Sequence, residues 1–136
     1  MSSQHGRRSE AAGELRRCSS GSVRTETIDG VPIVVVSGEL DLALAAVATP
    51  ELNAAIRGGA RGVVIDLSAV EFIDSTGLVL LLGAYRRLDA ADRQLAIACP
   101  NRSAHRLFRL TRLDHVLPLQ DSRERALESV RPRPSG

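Results

Sequence analysis

The stretch Val63-Val64-Ile65-Asp66-Leu67-Ser68-Ala69-Val70-Glu71-Phe72-Ile73-Asp74-Ser75-Thr76-Gly77-Leu78-Val79-Leu80-Leu81-Leu82 decides how this chain folds. It reads as a buried strand, a short acidic crossing, and then a long apolar helix. The junction is Asp74-Ser75-Thr76-Gly77. A hydroxyl in the first turn of a helix, beside a carboxylate and a glycine, suits either a helix cap or a chemical switch.

Outward from the junction, apolar segments alternate between two periods. Upstream, Val23 to Ile28 leads to Asp29-Gly30, and Val31-Pro32-Ile33-Val34-Val35-Val36-Ser37 follows. Asp-Gly between apolar runs predicts a two-residue type I′ hairpin, because both turn positions need positive φ. The continuous β-branched run after it predicts a strand covered on both faces. Pro32 donates no N–H and therefore belongs at that strand's start.

Gly38-Glu39-Leu40-Asp41 ends the strand, and an Ala/Leu-rich helix is expected over 42–57, stopped by Gly58-Gly59. Thr49-Pro50-Glu51 is itself a helix start, with Thr as cap and Pro in the first turn. The reading favoured is a helical segment from about Leu44, disturbed at Pro50.

Arg61 to Leu67 is the next buried strand, and the helix after the junction is expected over 76–88. Gln94 to Ala98 is a third buried strand. Asn101 is an N-cap for a helix carrying Ala104, Leu107, Phe108 and Leu110. A last short strand follows Leu117-Pro118-Leu119. Ser122 then caps a final helix carrying Ala126, Leu127 and Val130, which Arg131-Pro132 stops.

The order β-β-α-β-α-β-α-β-α calls for right-handed crossovers. The fold class is α/β: one domain with a mainly parallel four- to five-stranded sheet, an antiparallel hairpin at its edge, and helices packed on it. Residues 1–22, rich in Ser, Gly and Arg, are expected to be a disordered basic tail. The domain then runs from 23 to 130, with a second disordered tail over 131–136.

The chain has 136 residues and a formal net charge of +2. Residues 1–24 carry five Arg and two Glu, whereas residues 25–130 carry 11 Arg and 14 acids. A mildly acidic body with basic ends argues against direct nucleic-acid binding, which places its basic patch on the folded body. Cys18 and Cys99 lie far apart, and no Cys/His metal-ligand spacing occurs. Free thiols of a cytoplasmic protein are expected. No apolar run is long enough to span a bilayer, and no apolar segment follows Arg7-Arg8 to make a secretory signal.

The junction itself admits three readings. As a nucleophile, Ser75 needs a base, and the histidines are His5, His105 and His115. The Gly-x-Ser-x-Gly elbow is absent, since Ile73 stands where its first glycine belongs. No phosphate-binding glycine loop is present either. As a cap, Asp74 closes the helix while Ser75 and Thr76 fill its first turn, a contribution of ~1 kcal/mol. As a phosphorylation site, Ser75 would carry an anion at a helix N-terminus, where N–H groups and the dipole tolerate it. A docked partner would meet the new charge. Gly77 would let another protein's active site come close.

Gly38-Glu39-Leu40-Asp41 together with Val64 through Leu78 resembles the STAS domain, specifically the bacterial anti-sigma factor antagonists. Leu107-Phe108-Arg109-Leu110-Thr111-Arg112-Leu113-Asp114-His115-Val116-Leu117-Pro118-Leu119 is similar to that family as well. The resemblance covers residues 23 to 130. It implies a non-enzymatic regulator whose unphosphorylated form sequesters an anti-sigma factor with GHKL-type serine kinase activity, freeing a sigma factor. The kinase would phosphorylate Ser75 and a separate serine phosphatase would reverse it. Asp41, Asp74, Ser75, Thr76, Gly77 and Leu78 would form the partner surface. The chain itself would need no cofactor, since ATP belongs to the kinase. A different member of the family would be a non-cycling scaffold in a stress-sensing assembly, or an accessory subunit of a lipid transporter.

Two positions depart from the family's pattern. Arg112 stands where glycine often follows Leu-Thr, and a left-handed residue there would cost on the order of 1 kcal/mol. Pro50 comes several residues later than the usual helix-opening proline.

Overall fold

The computed structural model describes residues 11–130. Its strands are β1 (Ala11–Ala12), β2 (Arg16–Cys18), β3 (Gly21–Ile28), β4 (Val31–Leu40), β5 (Gly62–Ile73), β6 (Gln94–Ala98) and β7 (Leu119–Gln120). Its helices are α1 (Leu42–Arg57), α2 (Ser75–Ala90), α3 (Arg102–Leu110) and α4 (Arg123–Val130), with a 3₁₀ turn at Leu113–His115. One sheet runs β1-β3-β4-β5-β6-β7, and β2 shares the β3 edge with β1. The three pairings from β4 to β7 are parallel. The hairpin β3–β4 and both short edge strands are antiparallel.

The hairpin turn is the one its sequence requires. Asp29 has φ 55° and Gly30 φ 79°, and Ile28 faces Val31 across the two-residue loop. The apolar runs alternate between two cores. Val34 and Val36, Val63, Ile65 and Leu67, and Leu95 and Ile97 face α1, α2 and α3. Ile33, Val35, Val64, Ala96 and Ala98 face α4, through Ala126, Leu127 and Val130. Because both faces are covered, the runs Ile33 to Val36, Val63 to Ile65 and Leu95 to Ala98 are apolar on both sides of the sheet. The α4 side is built from small residues. A Cβ on Gly62 would come 2.5 Å from the Val130 Cβ, so this glycine lets the helix lie close.

The structure departs from the sequence-based expectations in three places. Residues 11–22 were expected to form a disordered tail, yet 11–20 run back along β3. Main-chain pairing of Arg16, Arg17 and Cys18 with Val23, Ser22 and Gly21 holds them there. Such pairing satisfies backbone groups whatever the side chains are, so composition does not reveal it. The other part of that expectation, residues 1–10 and 131–136, lies outside the described residues.

The acidic crossing after Leu67 is instead the continuation of β5, whose Ala69 to Ile73 pair with Ser37 to Leu40 after a register shift. Ser68, Glu71 and Phe72 are outward-facing residues of a strand whose Val70 and Ile73 are buried.

Lastly, α1 begins at Leu42, capped by Asp41, and runs through Pro50 without a break. Thr49 does not cap; its hydroxyl donates to the Ala45 carbonyl at 2.7 Å. Pro50 lies on the exposed face, where water can reach the carbonyl that the missing N–H leaves free.

Candidate functional site

Strands β4 and β5 are parallel neighbours, and each ends in an aspartate that caps the next helix. Asp41 Oδ1 accepts from the Leu44 N–H at 3.0 Å, at the start of α1. Asp74 Oδ1 accepts from the Gly77 N–H at 3.1 Å, at the start of α2. The Asp74 N–H donates to the Leu40 carbonyl at 3.2 Å, which ties the two junctions together through the backbone. The topology thereby brings Asp41 and Asp74 to one end of the sheet although 33 positions separate them.

Ser75 is the first residue of α2 and is exposed. Capping is the task of Asp74, and the Ser75 hydroxyl makes no hydrogen bond among the described residues. Exposed apolar side chains occur on the elements that meet at these junctions. Leu42 and Val79 are each 70% exposed and Phe72 is 53% exposed. Val79 lies one helical turn beyond Ser75, on the same face. Leu42, Phe72 and Val79 were not recognised as site residues from the sequence, because exposure of an apolar residue depends on which face the fold leaves open.

Asp41 has a second partner that the sequence reading did not include. The Ser20 hydroxyl, in the turn between β2 and β3, donates to Asp41 Oδ2 at 2.6 Å. That bond first, and the Leu44 N–H second, hold the Asp41 carboxyl below its ordinary range. The turn is clamped from the main chain as well, since the Glu39 N–H donates to the Ser20 carbonyl at 3.0 Å. Gly38, at φ 109°, permits this approach; a Cβ there would sit 2.3 Å from the Ser20 carbonyl oxygen.

The remaining expected site residues turn inward to different degrees. Thr76 is half-buried, and Leu78 packs against the main core. Gly77 is buried, and a Cβ on it would meet Leu40 Cγ and the Leu40 carbonyl at 2.8 Å. Its missing side chain admits this chain's own β4, where the sequence reading had an incoming partner. Neither histidine within the described residues hydrogen bonds to Ser75. His105 lies on α3 beside Pro100, Arg102, Arg109 and Asp121, and His115 is exposed beside Asp114.

No helix among the described residues is long and apolar enough to cross a membrane. The STAS domain family matches residues 22–126. The chain is 32% identical over 102 residues to an anti-sigma F factor antagonist of Paenibacillus polymyxa, covering 74% of this chain and 87% of that one. It is 31% identical over 107 residues to an anti-sigma-B factor antagonist of Staphylococcus aureus, covering 76% of this chain and 95% of that one. Its fold superimposes with a TM-score of 0.78 on the crystal structure of an anti-sigma factor antagonist from Mycobacterium paratuberculosis, at 34% identity, over 87% of this chain and all of that one. With paired strand-to-helix junctions on this sheet, and a family match across nearly all of it, the chain belongs to the STAS domain family.

Proposed function

We propose that this protein is an anti-sigma factor antagonist working by partner switching, with Ser75 as its phosphoacceptor. Its relatives carry the antagonist name. The observation that supports the switch here is the division of labour at α2: Asp74 caps the helix, which leaves the exposed Ser75 hydroxyl without a structural task. The unphosphorylated surface, with Leu42, Phe72 and Val79 on the elements that meet at these junctions, offers apolar contact to an anti-sigma factor that is also a GHKL-type serine kinase.

Phosphorylation would add a charge of about −1.5 to −2. Asp41, Asp74 and Glu71 are already near the ends of these strands, so the surface becomes locally acidic and strongly hydrated. Repulsion and desolvation then release the partner. The fold tolerates the phosphate because it sits at a helix N-terminus. A serine phosphatase resets the switch. The chain acts in the cytoplasm as a regulator, with ATP entering through the kinase.

The test is incubation with the cognate kinase and ATP, followed by peptide mass spectrometry. Phosphate is expected on Ser75 alone, and Ser75→Ala should bind the partner constitutively while Ser75→Asp binds weakly. Phosphate on another residue would overturn the site assignment. A pull-down recovering transporter subunits in place of a kinase would overturn the switching role and favour an accessory one.

A further inference from the structure

Helix α3 carries a line of positive charge, with Asp121 near Arg102 and Arg109 on one flank. Arg102, Arg106 and Arg109 lie on its exposed side, Arg112 follows its end, and no acid occurs between positions 102 and 112. Arg102 and Arg106 are four apart and Arg106 and Arg109 three apart, so these pairs repel on neighbouring turns of the helix, while Arg112 stands past its end at φ 63°. None of the four guanidinium groups has an ion pair or side-chain hydrogen bond among the described residues. Other arginines are divided: Arg16, Arg24, Arg87, Arg93 and Arg123 bond to Glu51, Glu26, Asn53, the Ala60 carbonyl, and Asp66 with Glu26, while Arg17, Arg57, Arg61, Arg86 and Arg125 have no such partner among the described residues. What sets the α3 arginines apart is that three of them share one helix face beside a groove.

Beside the ridge runs an apolar groove of about 240 Å³ between α3 and the end of β5. Phe72, Ala104, Leu107 and Leu110 line it, with Glu71 and Arg106 among its walls. Leu110, at the end of α3, is 71% exposed and extends the groove's apolar lining to the surface. The groove has room for aliphatic side chains, and the ridge demands carboxylates next to them.

We propose that α3 and this groove form a docking surface for an acidic amphipathic helix of a protein partner. Leucine-type side chains at i, i+3, i+4 and i+7 would enter the groove, and glutamates on the flank would pair with Arg106, Arg109 and Arg102. A nucleic acid would use the arginines and leave the groove empty. A flat lipid surface would meet the arginines and leave the concave groove beside them unfilled. The groove shares Phe72 and Glu71 with the surface proposed around Ser75, whereas Arg102, Arg106 and Arg109 belong to α3 alone, so their variants test this surface apart from that hydroxyl.

The test uses the full chain, labelled with 15N, and a synthetic Glu-rich helical peptide with leucines at that spacing. A peptide of the same composition in scrambled order is the control, and the competing probes are phosphatidylglycerol-containing vesicles and duplex DNA. The patterned peptide is expected to shift the amides of Phe72, Leu107 and Leu110. The charge reversal R106E/R109E should weaken its binding about tenfold, and L110A should weaken it as well, while circular dichroism shows both variants folded. Equal affinity for the scrambled peptide would overturn the groove's part in recognition. Tighter binding of vesicles or DNA than of the patterned peptide, or shifts that avoid α3, would overturn the proposal as a whole.

Discussion

The Ser20 hydroxyl donates to the Asp41 carboxylate at 2.6 Å, so a turn at the N-terminal edge of the sheet is fastened to the cap of α1. The same turn is held by the Glu39 N–H on the Ser20 carbonyl. Asp41 therefore receives two hydrogen bonds that favour its charged form, and its carboxyl titrates below the ordinary value. Ser20→Ala removes the stronger of the two. The Asp41 carboxyl carbon, followed by NMR through an acid titration, should then show its midpoint moved upward. An unchanged midpoint would mean that the turn does not hold this contact in solution.

A second polar cluster fastens α4 to the sheet. Arg123 donates through Nε to Asp66 Oδ2 and through Nη1 to Glu26 Oε1, each at 2.8 Å. Asp66 is the one buried charged residue of the described core, and its other oxygen accepts from the Ser68 N–H at 2.9 Å. Arg123→Ala leaves the Asp66 charge buried without its cation, and should cost about 3 kcal/mol in urea denaturation.

The same cluster sets a pH dependence. Burial is the largest single influence on Glu26 and opposes its ionisation, but the bonds and charges of Arg24 and Arg123 together outweigh it. Its pKa falls below the ordinary 4.5. A depressed carboxyl stabilises the fold above the unfolded value, and that contribution disappears as pH falls through the folded value. Glu26→Gln should therefore be less stable than the parent at neutral pH. The gap should close in denaturation curves taken progressively below pH 4.5.

The two thiols should separate in the same kind of solution experiment. Cys99 is fully buried at the end of β6, and burial pushes its pKa up to about 11. Cys18 is partly exposed on the edge strand β2. A thiol reagent at about pH 8 should modify Cys18 in the native protein and reach Cys99 only on unfolding. Equal rates at both would show that the β6 end opens readily.

What could be read from the sequence was local chemistry. Asp29-Gly30 dictates its turn, and Asp74, Asn101 and Ser122 each accept from the first-turn N–H groups as expected. The buried strands betray themselves because two helical layers leave them no polar face. What could not be read depends on approach between distant segments. The pairing of residues 11–18 with β3 is backbone chemistry, and the polar outer residues of β5 disguise a continuing strand. The Ser20–Asp41 bond joins residues 21 positions apart, with Gly38 making the room. Exposure of Leu42, Phe72 and Val79 likewise follows only from where the strands end.

Arg112 joins these two kinds of evidence. Its place after Leu-Thr marked it as a residue in a glycine-like position, and its φ is 63°. It follows Thr111, the C-terminal cap of α3, whose N–H bonds the Leu107 carbonyl at 3.0 Å. Its side chain makes no compensating ion pair among the described residues. Arg112→Gly should therefore raise stability by about 0.5–1 kcal/mol, the left-handed strain relieved being partly offset by a more flexible unfolded chain. Thermal unfolding would measure it, and a loss of stability would show that the Arg side chain holds this turn.

Gly77 offers the sharpest separation between fold and switch. A methyl group there would press on Leu40 Cγ and on the Leu40 carbonyl, both at 2.8 Å, and on Ile73 Cγ2 at 2.9 Å. The backbone carbonyl cannot rotate away, so α2 must shift outward from β4. Gly77→Ala should destabilise the fold by about 1–3 kcal/mol, as overpacking does elsewhere. The shift would also strain the Asp74 cap, because the bonded N–H belongs to Gly77 itself. Ser75, one residue beyond that cap, would then be presented at an altered angle. Partner binding by Gly77→Ala should therefore fall further than its stability loss accounts for, when measured at a temperature where the variant is fully folded. Binding that merely tracks the folded fraction would show that Gly77 serves packing alone and leaves the setting of Ser75 to Asp74.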